Sequence, residues 1–176
     1  EEELIASKEA DELLAQNPAL SRRGTEALIG RFPEHIARFS RLDAERFERL
    51  FHGYTAELAA NTTLDAGMQD ALIVAGEKTV LNALAANPAL VPGHAAALMQ
   101  ERAFHPSLAS NPSLSPEVLE QLYHTNDSQV QAHLAANPST PIELLYQLAL
   151  DRRFERAVKT NPSFGQHIQT HNIGWL

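Results

Sequence analysis

The chain of 176 residues contains no cysteine, which excludes disulfides, thiolate nucleophiles and any metal or iron–sulfur site held by sulfur. That absence fits a cytoplasmic protein, the compartment expected here. No apolar run approaches the ~18 residues that a membrane-spanning helix needs, so no membrane partner is expected. Nor does a basic stretch followed by an apolar one open the chain as in a secretory signal. A chain that begins Glu1-Glu2-Glu3 without methionine reads as a trimmed piece of something longer. Aromatic residues are scarce, 6% against 44% apolar overall, which suits closely approaching helices built from alanine and leucine.

Positive charge is scarce where a phosphate-tracking groove would need it. Residues 50–150 hold nine acids against Lys78 and Arg102 alone, and the formal net charge is −8. Binding to nucleic acid is therefore not expected. Catalytic signatures are missing as well: no Gly-rich phosphate loop, no G-x-S-x-G elbow, no H-E-x-x-H. Eight histidines are present, and His167 and His171 would share one face of a helix. Two ligands are too few for zinc, so no metal site is assigned. His94, His105, His124 and His133 fall at turn or surface positions, and Asp151, beside Arg152 and Arg153, reads as part of a solvated loop cluster.

What the chain does have is a repeat. From origins at Asn17, Phe39, Asn61, Asn87, Asn111, Asn137 and Asn161, spaced 22 to 26 residues apart, one apolar frame recurs. Periods of this size mean stacked units rather than a single core. Leucine stands eleven residues after each origin, at Leu28, Leu50, Leu72, Leu98, Leu122 and Leu148. The next residue (Ile29, Phe51, Ile73, Met99, Tyr123, Ala149) is expected to widen that buried stripe to two columns. Before the origin, Phe32, Tyr54, Val80, Phe104, Val130 and Phe154 lie four residues ahead of Ile36, Leu58, Leu84, Leu108, Leu134 and Val158. A four-residue separation puts both anchors on one helical face, so each origin follows a short helix. No frame column in these six units carries a charge, which leaves little room for a buried catalytic group.

The second half of each unit opens on helix-start signals. Ser115-Pro116-Glu117 offers a hydroxyl cap, a proline at the first turn and an acid near the positive end of the dipole. Thr140-Pro141-Ile142-Glu143 reads as a capping box. Asp43 and Asp65 stand at the Ser115 offset, whereas Val91-Pro92 keeps only the proline. The Asn-Pro pair ends the short helix, because proline cannot continue it and asparagine can bond nearby backbone amides. The fold expected is all-α, a solenoid of about six helix-pair repeats, with a HEAT-like array as the alternative architecture. As a cap, each asparagine should be worth about 1 kcal/mol, and Leu122 or Leu148, as buried knobs, ~2–5 kcal/mol.

The run Asn111 to Leu122, Asn-Pro-x-Leu-Ser-Pro-Glu-x-Leu-x-x-Leu, and the Leu-Ala-Ala-Asn-Pro of Leu84 to Pro88 and Leu134 to Pro138 resemble the leucine-rich repeat variant family. The resemblance is close over roughly residues 80 to 164 and weaker over 17 to 79, where Phe39 and Thr62 depart from the motif. It implies units of one α-helix and one short helix, stacked in a right-handed superhelix without strands. The iron–sulfur domain of the founding type cannot be carried over to a chain without cysteine.

Three segments are expected: a capping helix over residues 1–16 with Leu4, Ile5, Leu13 and Leu14 on its apolar face, a repeat array over 17–164, and a capping tail over 165–176 that carries Ile173, Trp175 and Leu176. Such a stack varies its exposed positions freely while its frame is held, which points to a non-enzymatic module that binds a protein or peptide. The alternative is a HEAT-like enzyme that binds or processes nucleic acid, which would need a basic groove. No cofactor is expected. The partner site expected from sequence is Arg152, Arg153, Arg156 and Lys159, which flank the frame residues Phe154 and Val158 and would attract an acidic partner.

Overall fold

A computed structural model describes residues 8–171, with the side chains described from residue 10; Leu4, Ile5, Ile173, Trp175 and Leu176 lie outside them. Among the described residues the regular elements are all helices, with no strand. They divide into two compact units, residues 1–91 and 92–176.

The first unit holds α1 (Lys8–Ala15), α2 (Arg22–Leu28), α3 (Pro33–Phe39), α4 (Ala44–Phe51), α5 (Thr55–Ala59), α6 (Ala66–Ala75) and α7 (Lys78–Ala85). Helices α1, α3, α5 and α7 pack each on the next, and α2, α4 and α6 pack on their chain neighbours. The second unit holds α8 (Pro92–Leu98), α9 (His105–Ser110), α10 (Pro116–Tyr123), α11 (Ser128–Ala136), α12 (Ile142–Ala149), α13 (Arg152–Thr160) and α14 (Pro162–Thr170), with one 3₁₀ turn over Arg102–Phe104. There α9, α11 and α13 form the corresponding row.

The helices start and stop where local chemistry requires. Asp43 and Asp65 accept from the amides of Arg46 and Met68, as N-caps do. Ser21, Asp127 and Asp151 cap α2, α11 and α13 in the same way. Two expected caps are not made. Ser115 supplies no side-chain cap to α10; its hydroxyl bonds Glu117 instead and holds that carboxyl below the usual range. The capping box at Thr140 does not form either, because its hydroxyl donates to the carbonyl of Leu134 at 2.7 Å and Pro141 stands at the cap position. A buried helix-end carbonyl has greater need of a partner than an amide that can face water.

The frame is buried as its spacing predicts, with one correction. Ile36, Leu58, Leu84, Leu108, Leu134 and Val158 are fully buried, and Leu28, Leu50, Leu72, Leu98, Leu122 and Leu148 are buried as well. The column after those leucines is not a second core stripe: of its six residues only Ile29 is buried. Its place is taken by the residues eight after each origin, Thr25, Phe47, Gln69, Ala95, Leu119 and Leu145, all buried. Eight and eleven are three apart and so share a face, whereas eleven and twelve diverge by about 100°.

Between these columns runs a polar ladder. Asn61, Asn87, Asn137 and Asn161 are buried, and each side-chain amide donates to two backbone carbonyls of the repeat before it. For Asn137 these are Ala109 at 2.8 Å and Asn111 at 3.0 Å, while its Oδ1 accepts from the Ser139 amide at 2.9 Å. The asparagine also turns its own chain, since Leu90 and Thr140 donate their amides to the carbonyls of Asn87 and Asn137 with proline in the following position. The carbonyl two residues before the origin comes from Ala37, Ala59, Ala109 or Ala135, fully buried alanines whose size lets the next helix approach.

At the second origin the frame slips. Ser40, fully buried, takes the helix-end position, and Phe39 is only half-buried. The serine hydroxyl finds no hydrogen-bond partner among the described residues, and its backbone carbonyl accepts from Asn61 in place of the missing asparagine. Among the described side chains of α1, Asp11 and Ala15 are buried and Leu14 is half-buried, whereas Leu13, expected on the apolar face, is 70% exposed. Asp11 pairs with Arg31. At the other end α14 runs straight through Gly165, so the expected boundary at 164/165 falls inside a helix. Asn161 caps it by accepting from the amides of Ser163 and Phe164.

Candidate partner-binding surfaces

Helix α13 positions the basic cluster expected from sequence. Phe154 and Val158 are buried, and Arg152, Arg153, Arg156 and Lys159 all point outward. Two of the four are engaged by acids of their own helix. Lys159 Nζ lies 2.7 Å from Glu155, one helical turn away. Arg153 reaches Asp151 at 2.6 Å and lies over the Phe154 ring. Its guanidinium holds the Asp151 carboxyl below the usual carboxylate range. Asp151 is therefore a helix cap tied to Arg153 rather than part of a loop cluster, and Arg152 and Arg156 are the cluster's outward charges.

The two arginines at the start of α13 should accordingly differ. Arg152→Glu should leave the melting temperature unchanged, whereas Arg153→Glu, which sets a second carboxylate beside the capping Asp151, should lower it. The folded-state pKa of Asp151 is depressed, so its contribution is present above the ordinary carboxylate range and is lost as pH falls through the folded value. In Arg153→Glu that loss should begin at higher pH. Thermal melts from pH 7 to pH 3 on the two variants check both statements, and equal curves would separate Arg153 from the cap.

A second charged surface was not singled out by sequence spacing. In the first unit Arg46 of α4 lies with its side chain only 8% exposed between Asp43 and Glu26; it pairs with Asp43 and stands 3.1 Å from Glu26. Arg49 reaches Glu26 at 2.6 Å and Arg22 reaches Asp43 at 3.4 Å. The Glu26 carboxyl is held low, first by the bond from Arg49 and further by Arg46. Beside this network lies a cleft of about 240 Å³ lined by Leu20, Arg22, Thr25, Arg41, Leu42, Asp43 and Arg46. Sequence spacing pairs residues three and four apart; Arg46 and Glu26 are brought together across two helices. The only sequence signal is the excess of arginine over residues 21–49.

A larger cleft of about 390 Å³ is lined by Gln16, Glu34, His35, Arg38, Phe39 and Glu57. Its imidazole stands 3.7 Å from Glu12 and 3.5 Å from Glu34, and among the described residues no serine, threonine or lysine lines it as a nucleophile. His105, expected at the surface, is buried and bonds the Met99 carbonyl at 2.9 Å, tying the 3₁₀ turn to α8. His124 and His133 are exposed and His94 is half-buried. His167 and His171 do share a face of α14, rings 4.3 Å apart, but no group of three or more metal-ligating side chains occurs among the described residues. Among the described residues no helix is long and apolar enough to cross a membrane. Comparison with family models, with characterised proteins and with solved structures finds no match.

Proposed function

We propose that the chain is a solenoid of the leucine-rich repeat variant kind, a right-handed stack of helix pairs whose repeat surface recognises a protein or peptide without catalysing a reaction. The carrying observation is how the strictly spaced polar residues are used. The buried origin asparagines of both units serve contacts within and between repeats, leaving the outward positions as the variable part. Ten residues after successive origins stand Ala27, Arg49, Ala71, Ala97, Gln121 and Gln147, exposed or half-buried and of apolar, charged and amide types. A surface with a fixed spacing and outward side chains that differ from unit to unit is suited to reading a partner.

Cross-linking of the purified chain in its native extract tests this. The expected result is a stoichiometric protein partner whose cross-links map to these outward positions, and whose recovery falls when several of them are changed together at unchanged helicity. Recovery of nucleic acid instead, or turnover abolished by changing one polar residue, would overturn it.

A further inference from the structure

Resting on that reading, we propose that the cleft between α2 and α4 is a docking site for a carboxylate side chain on an acidic segment of the partner. On an acidic chain, this cleft concentrates positive charge. Arg22, Arg41 and Arg46 line it against the single acid Asp43. Even with Arg49 and the acids that act on it, Glu26 and Glu45, included, four guanidinium groups face three carboxylates. Arg22 has its side chain 76% exposed, and exposed Arg41 makes no side-chain hydrogen bond or ion pair among the described residues, so both can reach toward a ligand.

Arg46 is different in kind. Its side chain is more than nine-tenths buried, two of its nitrogens are taken by Asp43 and Glu26, and its Nε is buried with no acceptor among the described residues. A buried guanidinium donor without an acceptor is uncommon, and one oxygen of an incoming carboxylate would supply the acceptor that Nε lacks while the other faces Arg22 and Arg41. Leu20 and Leu42 supply the apolar part of the wall, a surface for the methylenes of a glutamate. The volume suits one side chain rather than a folded ligand, so the occupant is a residue presented by an extended acidic segment. The α13 cluster offers no comparable enclosure: its four cations are all exposed, and two are already paired with Asp151 and Glu155.

Fluorescence anisotropy with a labelled hexaglutamate peptide at low salt (about 20 mM, where exposed charges are little screened) tests the assignment on the whole chain. Saturable binding is expected, weakened about tenfold or more by Arg22→Glu with Arg41→Glu, and within about twofold of wild type in Arg152→Glu with Arg156→Glu. Circular dichroism checks that both pairs retain their helicity; if the first pair does not, Arg41→Gln alone must still weaken binding at least about threefold. Equal weakening by the two pairs, absence of saturable binding to the wild type, or displacement of the peptide by equimolar inorganic phosphate would overturn it. A partner captured equally well by wild type and by Arg22→Glu with Arg41→Glu would remove this site and leave the recognition function standing.

Discussion

Replacing Asn137 by alanine should destabilise the second unit by about 3 kcal/mol or more, well above the loss of a surface cap. The side chain is buried and holds three backbone groups: the carbonyls of Ala109 and Asn111, 26 to 28 residues earlier, and the amide of Ser139. Alanine removes all three partners, and each buried group left unsatisfied costs ~1–3 kcal/mol, less what water entering the gap restores. The sharper test is Asn137→Asp, which keeps shape and acceptor but loses both donors and places a negative charge against two carbonyl oxygens. At neutral pH it should be worse than the alanine variant, and it should recover as acid protonates the carboxyl. Urea denaturation at pH 7 and pH 4 reads both effects. A loss of ~1 kcal/mol or less in Asn137→Ala would mean that the ladder contributes no more than a cap.

Leu122→Ala should cost ~2–5 kcal/mol, the range for a buried leucine whose cavity only partly collapses. Leu122 is fully buried in α10, eleven residues after its origin, whereas Leu150, the same residue type in the same unit, is 87% exposed. Leu150→Ala should therefore stay within about 0.5 kcal/mol of wild type. Together the two separate frame from surface. A flat response to Leu122→Ala, or an equal response at both positions, would sink the register, since the two leucines differ in little but placement.

The apolar frame is legible because burial is periodic and leucine marks it plainly. Three things are not, each for a physical reason. The asparagines look like turn residues because their Oδ1 does serve the turn; the stronger use of their amides is invisible, since the acceptors are backbone carbonyls of another repeat and carry no residue signature. Ala59 and Ala135 read as filler in a helix, though a larger side chain there would meet the next helix before those bonds could close. The slip at Phe39 is masked by its apolar neighbours Ile36, Leu42 and Leu50, which fit the origin at 39 even though the helix ends on Ser40. At the candidate site the basic residues of α13 were readable from composition and spacing. The pairing of half of them, and the gathering of Arg22, Arg41 and Arg46 at one cleft, depend on tertiary contacts.

The alanine column changes character at its last described position. In the second unit the residue two before each origin is Ala109, then Ala135, then Lys159. The first two are sealed beneath the next helix, and the lysine is exposed and paired with Glu155. A row made by repeating one contact continues wherever the incoming helix meets a methyl group at that place. At Lys159 it would meet an ammonium instead, and the same close packing there would strip that charge of its water. The small side chain, and not the asparagine alone, therefore decides at which steps of the row the contact can be repeated.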